Sequence, residues 1–394
     1  MATPITATTE RASGAATAAS SEGGAAAGRL VSLDAFRGLT IAGMLLVNNP
    51  GTWSAIYAPL RHAPWHGWTP TDLIFPFFLF IVGVAMVLSF ERLEARGATR
   101  GALLAKAARR AAILFALGLV LHGFPRYDFS TIRIPGVLQR IALAYLCATP
   151  AVLWLRWRGQ AVLCAVLLLG YWALMTLVPV PGVGAGVLEP GKDLGAWIDR
   201  AVFGEQHLWS QSRTWDPEGL LSTLPAIGTV LIGALVGRWL RTNRTPLEKT
   251  VGLFVAGNIG LFLGLAWDAV FPINKPLWTS SYVLFTGGMA CHVFAMCYWL
   301  IDVRGQRRWA TPFVVYGMNA IAAFFLSSLF ARILTLIRVG AEGEQVALKT
   351  WIFQNVYASW LSPINASLAF ALTYVVFWLG IMWVLYRRKI FIKV

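Results

Sequence analysis

Three polar residues, His62, Asn48 and Asp72, flank a loop between two long apolar stretches, and their types suit proton transfer. Histidine accepts and returns a proton near neutral pH, so His62 is a candidate general base. Asp72 stands at the mouth of an apolar run, where carboxylates usually face a wet cavity. Asn48 could donate a hydrogen bond to a ligand oxygen. The alternatives are an interfacial hydrogen-bonded His62, an ordinary span-end Asp72 and an Asn48 that caps its helix.

A metal site is not predicted in this loop. His62 and His66 have the i, i+4 spacing of helical metal ligands, but Pro64 between them argues against a helix. The sequence has no H-E-x-x-H pattern. Its four cysteines lie in apolar stretches without a C-x-x-C pair, so they predict neither a metal site nor a disulfide framework.

The composition predicts an all-α polytopic membrane protein. Hydrophobic residues make up 57% of the chain and charged residues 13%, and the mean hydropathy is +0.63. The formal net charge of +15 would suit nucleic acid in a soluble protein. Here no basic motif or stacking module accompanies it, so we interpret the charge through the positive-inside rule and expect no nucleic-acid partner.

Ten apolar stretches are each long enough for a helix that crosses the bilayer. Residues 1–28 are rich in Ala, Thr, Ser and Gly and are predicted to be a disordered arm. Residues 29–394 are predicted to form a single transmembrane domain with an extended outer loop at 180–218. The predicted spans are 33–49, 71–90, 104–122, 136–154, 159–179, 220–239, 250–271, 278–301, 311–336 and 363–386.

Basic residues predict the orientation. An even number of spans places both termini on one side, and about two thirds of the 33 Lys and Arg residues fall on that side. Both termini are therefore predicted to be cytoplasmic. The inner-face arginines could pair with the phosphates of a cytoplasmic cofactor or could only mark topology and contact anionic lipid. Asp34 and Arg37 can pair locally, which weakens Arg37 as a ligand. These arginines are Arg37, Arg109, Arg110, Arg387 and Arg388.

Several other polar residues collect at the outer ends of the predicted spans. Together with His62 and Asp72 they favour a polar cavity open to the outside, although ordinary interfacial residues would give the same pattern. For Asp216 and Lys275 the interfacial interpretation is preferred. The remaining members are Asn48, His66, Arg133, Gln139, Arg140, Glu218, Asp268 and Asn274.

Seven blocks of sequence, in this order, resemble a known family. They are SLDAFRGLTIAGMLLVNN, RHAPWHGWTPTDLIFPFFLFIVG, RIPGVLQRIALAY, WDPEGLLSTL, FPINKPLWTSSYV, TPFVVYGMNA and YRRKIFIKV. The blocks are similar to those of the transmembrane heparan-α-glucosaminide N-acetyltransferases and their bacterial relatives. The resemblance covers about residues 30–394 and identifies the chain as a bacterial member, which implies a multi-pass protein of the inner membrane.

The resemblance implies a donor and an acceptor on opposite sides of the membrane. Acetyl-CoA is the cytoplasmic co-substrate, and an amino sugar is the acceptor on the periplasmic side. By motif, His62 matches the family's catalytic histidine, Asn48 the asparagine beside it and Asp72 the acidic residue after it. The family has been discussed both as an acetyl-histidine enzyme and as a direct-transfer enzyme, and the sequence does not choose between them. A homodimer and contacts with membrane lipids are further expectations.

This chemistry suits the residue types. An amine must lose a proton before it attacks a thioester, which His62 could accept, and Asp72 could orient the imidazole. The oxyanion that forms needs fixed donors, such as Asn48 or Arg140. Arg140 therefore joins the five inner-face arginines as a candidate acetyl-CoA contact. Two alternatives stay open: a solute transporter whose polar cavity binds its substrate, and an acyltransferase with an O-linked envelope glycan as acceptor.

Overall fold

The computed structural model describes residues 30–341 and 345–392, so the predicted arm at 1–28 lies outside the described residues. Within those residues the helices are joined by loops, and the paired strands are the two-residue antiparallel β1 Arg338–Val339 and β2 Val346–Ala347. The helices are α1 Val31–Asn48, α2 Ile74–Glu94, α3 Arg100–Gly123, α4 Val137–Trp154, α5 Trp157–Leu177, α6 Leu194–Phe203, α7 Thr223–Leu240, α8 Pro246–Asp268, α9 Ser280–Tyr298, α10 Thr311–Met318, α11 Ala320–Leu336, α12 Leu348–Ile352 and α13 Pro363–Arg387.

The predicted all-α polytopic fold is confirmed. In the described part of the chain, eight helices are long and apolar enough to cross a membrane, and α10 with α11 adds a ninth if that pair is one span. The remaining predicted span corresponds to α3, which has 24 residues but carries four basic side chains in its first half: Arg100, Lys106, Arg109 and Arg110.

The ninth predicted span, 311–336, was expected to be one continuous helix, and this is wrong. The helix breaks between α10 and α11, and the two axes differ by 81°. Asn319 at the break has φ −124° and ψ 36°, outside the helical region. Its side chain donates to Ile390 O at 3.0 Å and accepts from Ile392 N at 2.8 Å. The C-terminal tail thus supplies hydrogen bonds to the residue at which the helix ends.

The interior of the bundle is built on α1, α2, α4, α7 and α9, each more than half buried, whereas α5, α8 and α13 are less than one third buried. Helices α2 and α7 approach closely at two glycines. A Cβ atom on Gly83 would lie 2.0 Å from Val230 O, and one on Gly233 would lie 2.1 Å from Phe80 O. Only glycine allows this spacing, which is a common way to pack helices in a membrane.

Hydrogen bonds gather the loops at one end of the bundle, which we call the site end, and which consists of 49–73, 124–136, 178–222 and 269–279. Trp65 Nε1 donates to Leu188 O at 2.8 Å, Gly67 N to Ile273 O at 2.7 Å and Ile134 N to His207 O at 3.0 Å. The opposite end holds the first turn of α1 and the tail after α13. The predicted extended loop belongs to the site end, and α6 lies within it.

Candidate functional site

A hydrogen bond joins His62 to Asp72. Asp72 lies in a 3₁₀ turn, Pro70–Leu73, that leads into α2, and its Oδ1 is 2.6 Å from His62 Nδ1. An ionised carboxylate only accepts, so Nδ1 carries the proton and Nε2 keeps a free lone pair. The side chain of Asp72 is 1% exposed and that of His62 is 46% exposed. The carboxylate therefore fixes the ring from within while the ring stays accessible.

The local sequence explains why the carboxylate is held so firmly. Asp72 Oδ2 accepts from the backbone N–H groups of Ala63 and Thr69, both at 3.0 Å. Thr69 is the N-cap of the turn, Pro70 starts it, and the Thr69 hydroxyl donates to Arg61 O at 2.6 Å. These bonds close the loop from Arg61 to Asp72 on itself, which sets the position of His62.

Lys275 is the third member of the site. Its Nζ lies 3.0 Å from His62 Nδ1, 3.3 Å from His62 Nε2 and 3.6 Å from Asp72 Oδ1. The Lys275 side chain is 19% exposed. Burial lowers the pKa of Lys275 from its ordinary value, and the Asp72 carboxylate opposes that shift. The interpretation of Lys275 as an ordinary interfacial residue is therefore wrong.

The turn that carries Lys275 is ordered by Asn274, which is fully buried. Asn274 Oδ1 accepts from Leu277 N at 2.8 Å, and Asn274 N donates to Thr279 Oγ1 at 3.0 Å. The amide of Asn274 also lies 3.3 Å from His66 Nδ1, so the turn bonds to the loop of His62. The signal in the sequence was the polar pair Asn274–Lys275 inside FPINKPLW.

Asn48 is not joined to this group. It is the last residue of α1 and is exposed, and within the described residues it makes no hydrogen bond to His62 or Asp72. The neighbouring Asn49 is the C-cap residue instead, and its amide donates to Leu45 O at 2.9 Å. The structure thus brings together two of the three residues predicted to be catalytic.

Arg140 lies near the site end of α4 and is buried. It donates to Pro217 O at 3.0 Å, to Gly219 O at 2.9 Å and to the hydroxyl of Ser222, and its guanidinium lies 5.2 Å from the centre of the Trp278 ring. These contacts fix the end of the loop 178–222. Arg140 therefore lies at the site end, whereas the other arginines predicted to contact acetyl-CoA lie toward the opposite end.

The five other predicted arginines lie toward the opposite end. The predicted pair of Arg37 and Asp34 is present at 3.0 Å, and Arg37 also donates to Gly317 O at 3.2 Å. Arg110 lies in α3 over the Tyr145 ring at 5.3 Å, and its Nε is buried with no hydrogen-bond partner among the residues that the structure describes. Arg109, Arg387 and Arg388 are exposed.

A second polar cluster supports the same end of the bundle. Arg133 donates to both carboxylate oxygens of Asp216, at 2.8 and 2.6 Å, and to Glu218 at 2.5 Å. Burial alone would lower the pKa of Arg133, but the two carboxylates raise it above its ordinary value. Asp216 is therefore a loop-to-loop partner and not an ordinary interfacial residue. The cluster ties 124–136 to 178–222.

Comparison with known proteins gives a consistent family. A family model described as "Heparan-alpha-glucosaminide N-acetyltransferase, catalytic" matches residues 29–263. A heparan-alpha-glucosaminide N-acetyltransferase of Homo sapiens is 30% identical over 426 aligned positions, which cover 93% of this chain and 60% of that protein. The protein of the same name from Mus musculus is 29% identical over 430 positions, 93% of this chain and 61% of its own length.

This chain thus spans about 60% of the length of these relatives. The family model covers more than half of the chain, including the loop of His62 and Asp72. The resemblance seen in the seven sequence blocks is confirmed: the chain belongs to the heparan-alpha-glucosaminide N-acetyltransferase family.

Proposed function

We propose that this chain is a multi-pass membrane N-acetyltransferase that moves an acetyl group from acetyl-CoA to the amine of a glucosamine-like acceptor. The relatives carry an N-acetyltransferase name. The observation that carries the proposal is the His62–Asp72 pair, in which a buried carboxylate fixes a half-exposed imidazole. Such a pair is suited to proton transfer or to nucleophilic attack through Nε2. Asn48 is retained in the proposal as a ligand contact and not as a partner of the pair, to which it makes no hydrogen bond in the described part of the chain.

Two mechanisms fit this site, direct transfer and transfer through an acetyl-histidine. In direct transfer the amine nitrogen attacks the thioester carbon while Nε2 takes the amine proton; the C–S bond then breaks, and the CoA thiolate receives that proton. In the acetyl-histidine mechanism Nε2 attacks the thioester carbon, the C–S bond breaks and CoA leaves as the thiolate. The amine then attacks the acetyl carbon, the C–Nε2 bond breaks, and Nε2 takes the amine proton and releases it to the thiolate or to solvent. Asp72 stabilises the positive charge on the His62 ring in both mechanisms.

The donor is proposed to enter from the cytoplasm and the acceptor from the periplasm. Hydrocarbon is about 30 Å thick, so the thioester must pass along the bundle to reach His62. The nucleotide phosphates would then pair with Arg37, Arg109, Arg110, Arg387 or Arg388, which lie toward the end opposite His62. The buried Arg110 Nε, which has no hydrogen-bond partner within 30–341 and 345–392, supports an anionic group beside α3. Arg140 is bound to the loop and is proposed to act through the structure rather than on acetyl-CoA.

The location and the partners follow from the same proposal. The chain is placed in the inner membrane with both termini in the cytoplasm, in accordance with its basic residues. Poorly buried helices such as α5, α8 and α13 would contact lipid. A homodimer is expected from the family resemblance.

The decisive experiment compares purified wild-type protein with His62→Ala. Acetyl-CoA and glucosamine are supplied, and free CoA thiol and N-acetylglucosamine are measured. We expect transfer by the wild type, loss of turnover by at least about 10³-fold in His62→Ala, and normal transfer by the control His207→Ala, which changes a histidine at the same end. Near-normal turnover by His62→Ala would remove His62 from the chemistry.

The direction of transfer needs an oriented membrane. Proteoliposomes with the protein in a known orientation are given acetyl-CoA on one side and glucosamine on the other. Product is expected only when acetyl-CoA is on the side of the C-terminus. Product from the reverse arrangement would contradict the proposed sidedness while leaving the transfer itself intact.

A further inference from the structure

The position of Lys275 over the His62 ring is the starting observation. Its Nζ lies 3.0 Å from Nδ1 and 3.3 Å from Nε2. Nδ1 and Nε2 flank the ring carbon Cε1, so an atom in the ring plane at these distances from both nitrogens would overlap Cε1 or the opposite edge of the ring. Nζ therefore lies over the face of the imidazole. Both in-plane positions remain available: Nδ1 to Asp72 and Nε2 to an incoming group.

Lys275 is held in this place from two sides. Nζ lies 3.6 Å from Asp72 Oδ1, so the buried carboxylate has a cation beside it. The backbone on either side of Lys275 is fixed, since Asn274 bonds to Thr279 and Leu277, and Ile273 O accepts from Gly67 N. A side chain held this way loses little freedom when a ligand binds, which is the condition for a preorganised charge.

We propose that Lys275 is a further catalytic residue, whose ammonium stabilises the oxyanion formed on the acetyl carbonyl when the thioester is attacked beside His62 Nε2. This inference rests on the proposed acetyl transfer. Attack on the carbonyl carbon moves the C=O π electrons to oxygen, and the ammonium donates a hydrogen bond to that oxygen. When the oxyanion collapses, the C=O bond re-forms, the C–S bond breaks, and Lys275 keeps its proton throughout.

The geometry lets Lys275 stabilise the oxyanion in both mechanisms. Whether the attacking atom is Nε2 or an amine beside it, the carbonyl carbon must come close to Nε2, and Nζ is 3.3 Å from that nitrogen. The charged and titratable groups that face Lys275 are Asp72, His62 and Glu218. The two carboxylates among them favour the ammonium form that the role requires.

The test compares Lys275→Met, Lys275→Arg and the control Lys349→Met. Lys349 is also a lysine whose pKa burial lowers, and it lies over the Phe370 ring, away from His62. We expect Lys275→Met to lower kcat by about 10²–10³-fold with little change in the KM of acetyl-CoA or glucosamine. Lys275→Arg should have a kcat of at least about one tenth of the wild-type value, because a cation is restored. Lys349→Met should behave as the wild type.

A pH profile separates catalysis from a purely structural role. If the ammonium is required, wild-type kcat falls as the pH rises and Lys275 loses its proton, at a pH below that of a free lysine because burial lowers the pKa of Lys275. Lys275→Arg should lack that fall. A Lys275→Met kcat within about 3-fold of the wild type, or a Lys275→Arg variant that binds acetyl-CoA and is as inactive as Lys275→Met, would overturn the inference alone. Absence of acetyl transfer in the wild type would overturn the proposed function as well.

Discussion

The hydroxyl of Tyr282 donates a hydrogen bond to the backbone carbonyl oxygen of Asp72. Both residues are buried, and the bond joins α9 to the 3₁₀ turn that begins α2. The Tyr282 ring also packs edge-on against Trp278, at 5.3 Å between centroids, and Trp278 lies under the guanidinium of Arg140. The backbone that carries the Asp72 carboxylate is thus fixed from α9, and Arg140 of α4 packs on the other side of Trp278.

Asp72→Asn is expected to reduce both activity and stability. The amide has one acceptor oxygen, whereas Asp72 accepts from His62, Ala63 and Thr69 with two. If the amide oxygen keeps the bonds from Ala63 and Thr69, the amide NH2 group faces His62 Nδ1. Either two N–H groups then oppose each other, which costs about 1–3 kcal/mol, or the ring proton moves from Nδ1 to Nε2. Because Nε2 then lacks its lone pair, kcat should fall by about 10²–10⁴-fold. Turnover and thermal unfolding in detergent check these outcomes. An Asp72→Asn protein with wild-type turnover would show that the carboxylate does not serve His62.

Arg140→Met should destabilise the site end. Three donor bonds to Pro217, Gly219 and Ser222 are lost, and of the two carbonyl oxygens only Gly219 O keeps other donors, the hydroxyls of Ser222 and Thr223. The expected loss in the free energy of unfolding is at least about 2 kcal/mol. Arg126→Met is the matched control, because Arg126 is exposed in a loop at the same end. Equal unfolding midpoints for the two variants would contradict a structural role for Arg140.

Most of the fold could be predicted because bilayer thickness sets the length of apolar stretches. The break of the helix at Asn319 could not be predicted. The run 311–336 is mostly apolar, and the groups that bond to the Asn319 side chain belong to Ile390 and Ile392, more than seventy positions along the chain. A helix interruption that depends on such distant partners leaves no period or composition signal in its own segment.

The functional site could also be predicted only in part. His62 and Asp72 are ten positions apart in one polar loop, so the sequence could indicate that they lie close together. Lys275 is 213 positions from His62, and only the packing of two loops brings it there. Arg140 was expected among the acetyl-CoA contacts, but its partners lie 77 to 82 positions later, in a loop whose path no local pattern specifies.

Asn319→Leu should release the C-terminal tail. The substitution removes the bonds to Ile390 and Ile392 at a residue that is 1% exposed. The basic run Arg387–Lys389 should then be cut faster by trypsin, by about 10-fold for a loss of about 1.4 kcal/mol in local stability. Asn355→Leu is the control, because Asn355 is exposed and its side chain donates to Trp351 O, four residues earlier in the chain. Equal cleavage rates in the two variants would show that Asn319 does not hold the tail.

Asp199→Asn is expected to change how stability depends on pH. Burial raises the pKa of Asp199 from 3.8 to about 7, and the neighbouring Asp216 and Asp193 carboxylates add to the shift. Between these two values the folded protein holds a proton that the unfolded chain has released. The free energy of unfolding therefore falls as the pH rises, by up to about 1.4 kcal/mol per pH unit from this group, and above pH 7 the full cost is present.

The asparagine removes that cost and keeps the bond that Asp199 Oδ1 accepts from Leu220 N at 2.7 Å. Asp199→Asn should accordingly be more stable than the wild type at pH 8 and close to it at pH 4, as measured by thermal unfolding in detergent at several pH values. Glu205→Gln, which neutralises an exposed carboxylate in the same loop, should show no such trend. A stability difference between Asp199→Asn and the wild type that stays constant from pH 4 to pH 8 would mean that Asp199 is ionised in the folded protein over that whole range.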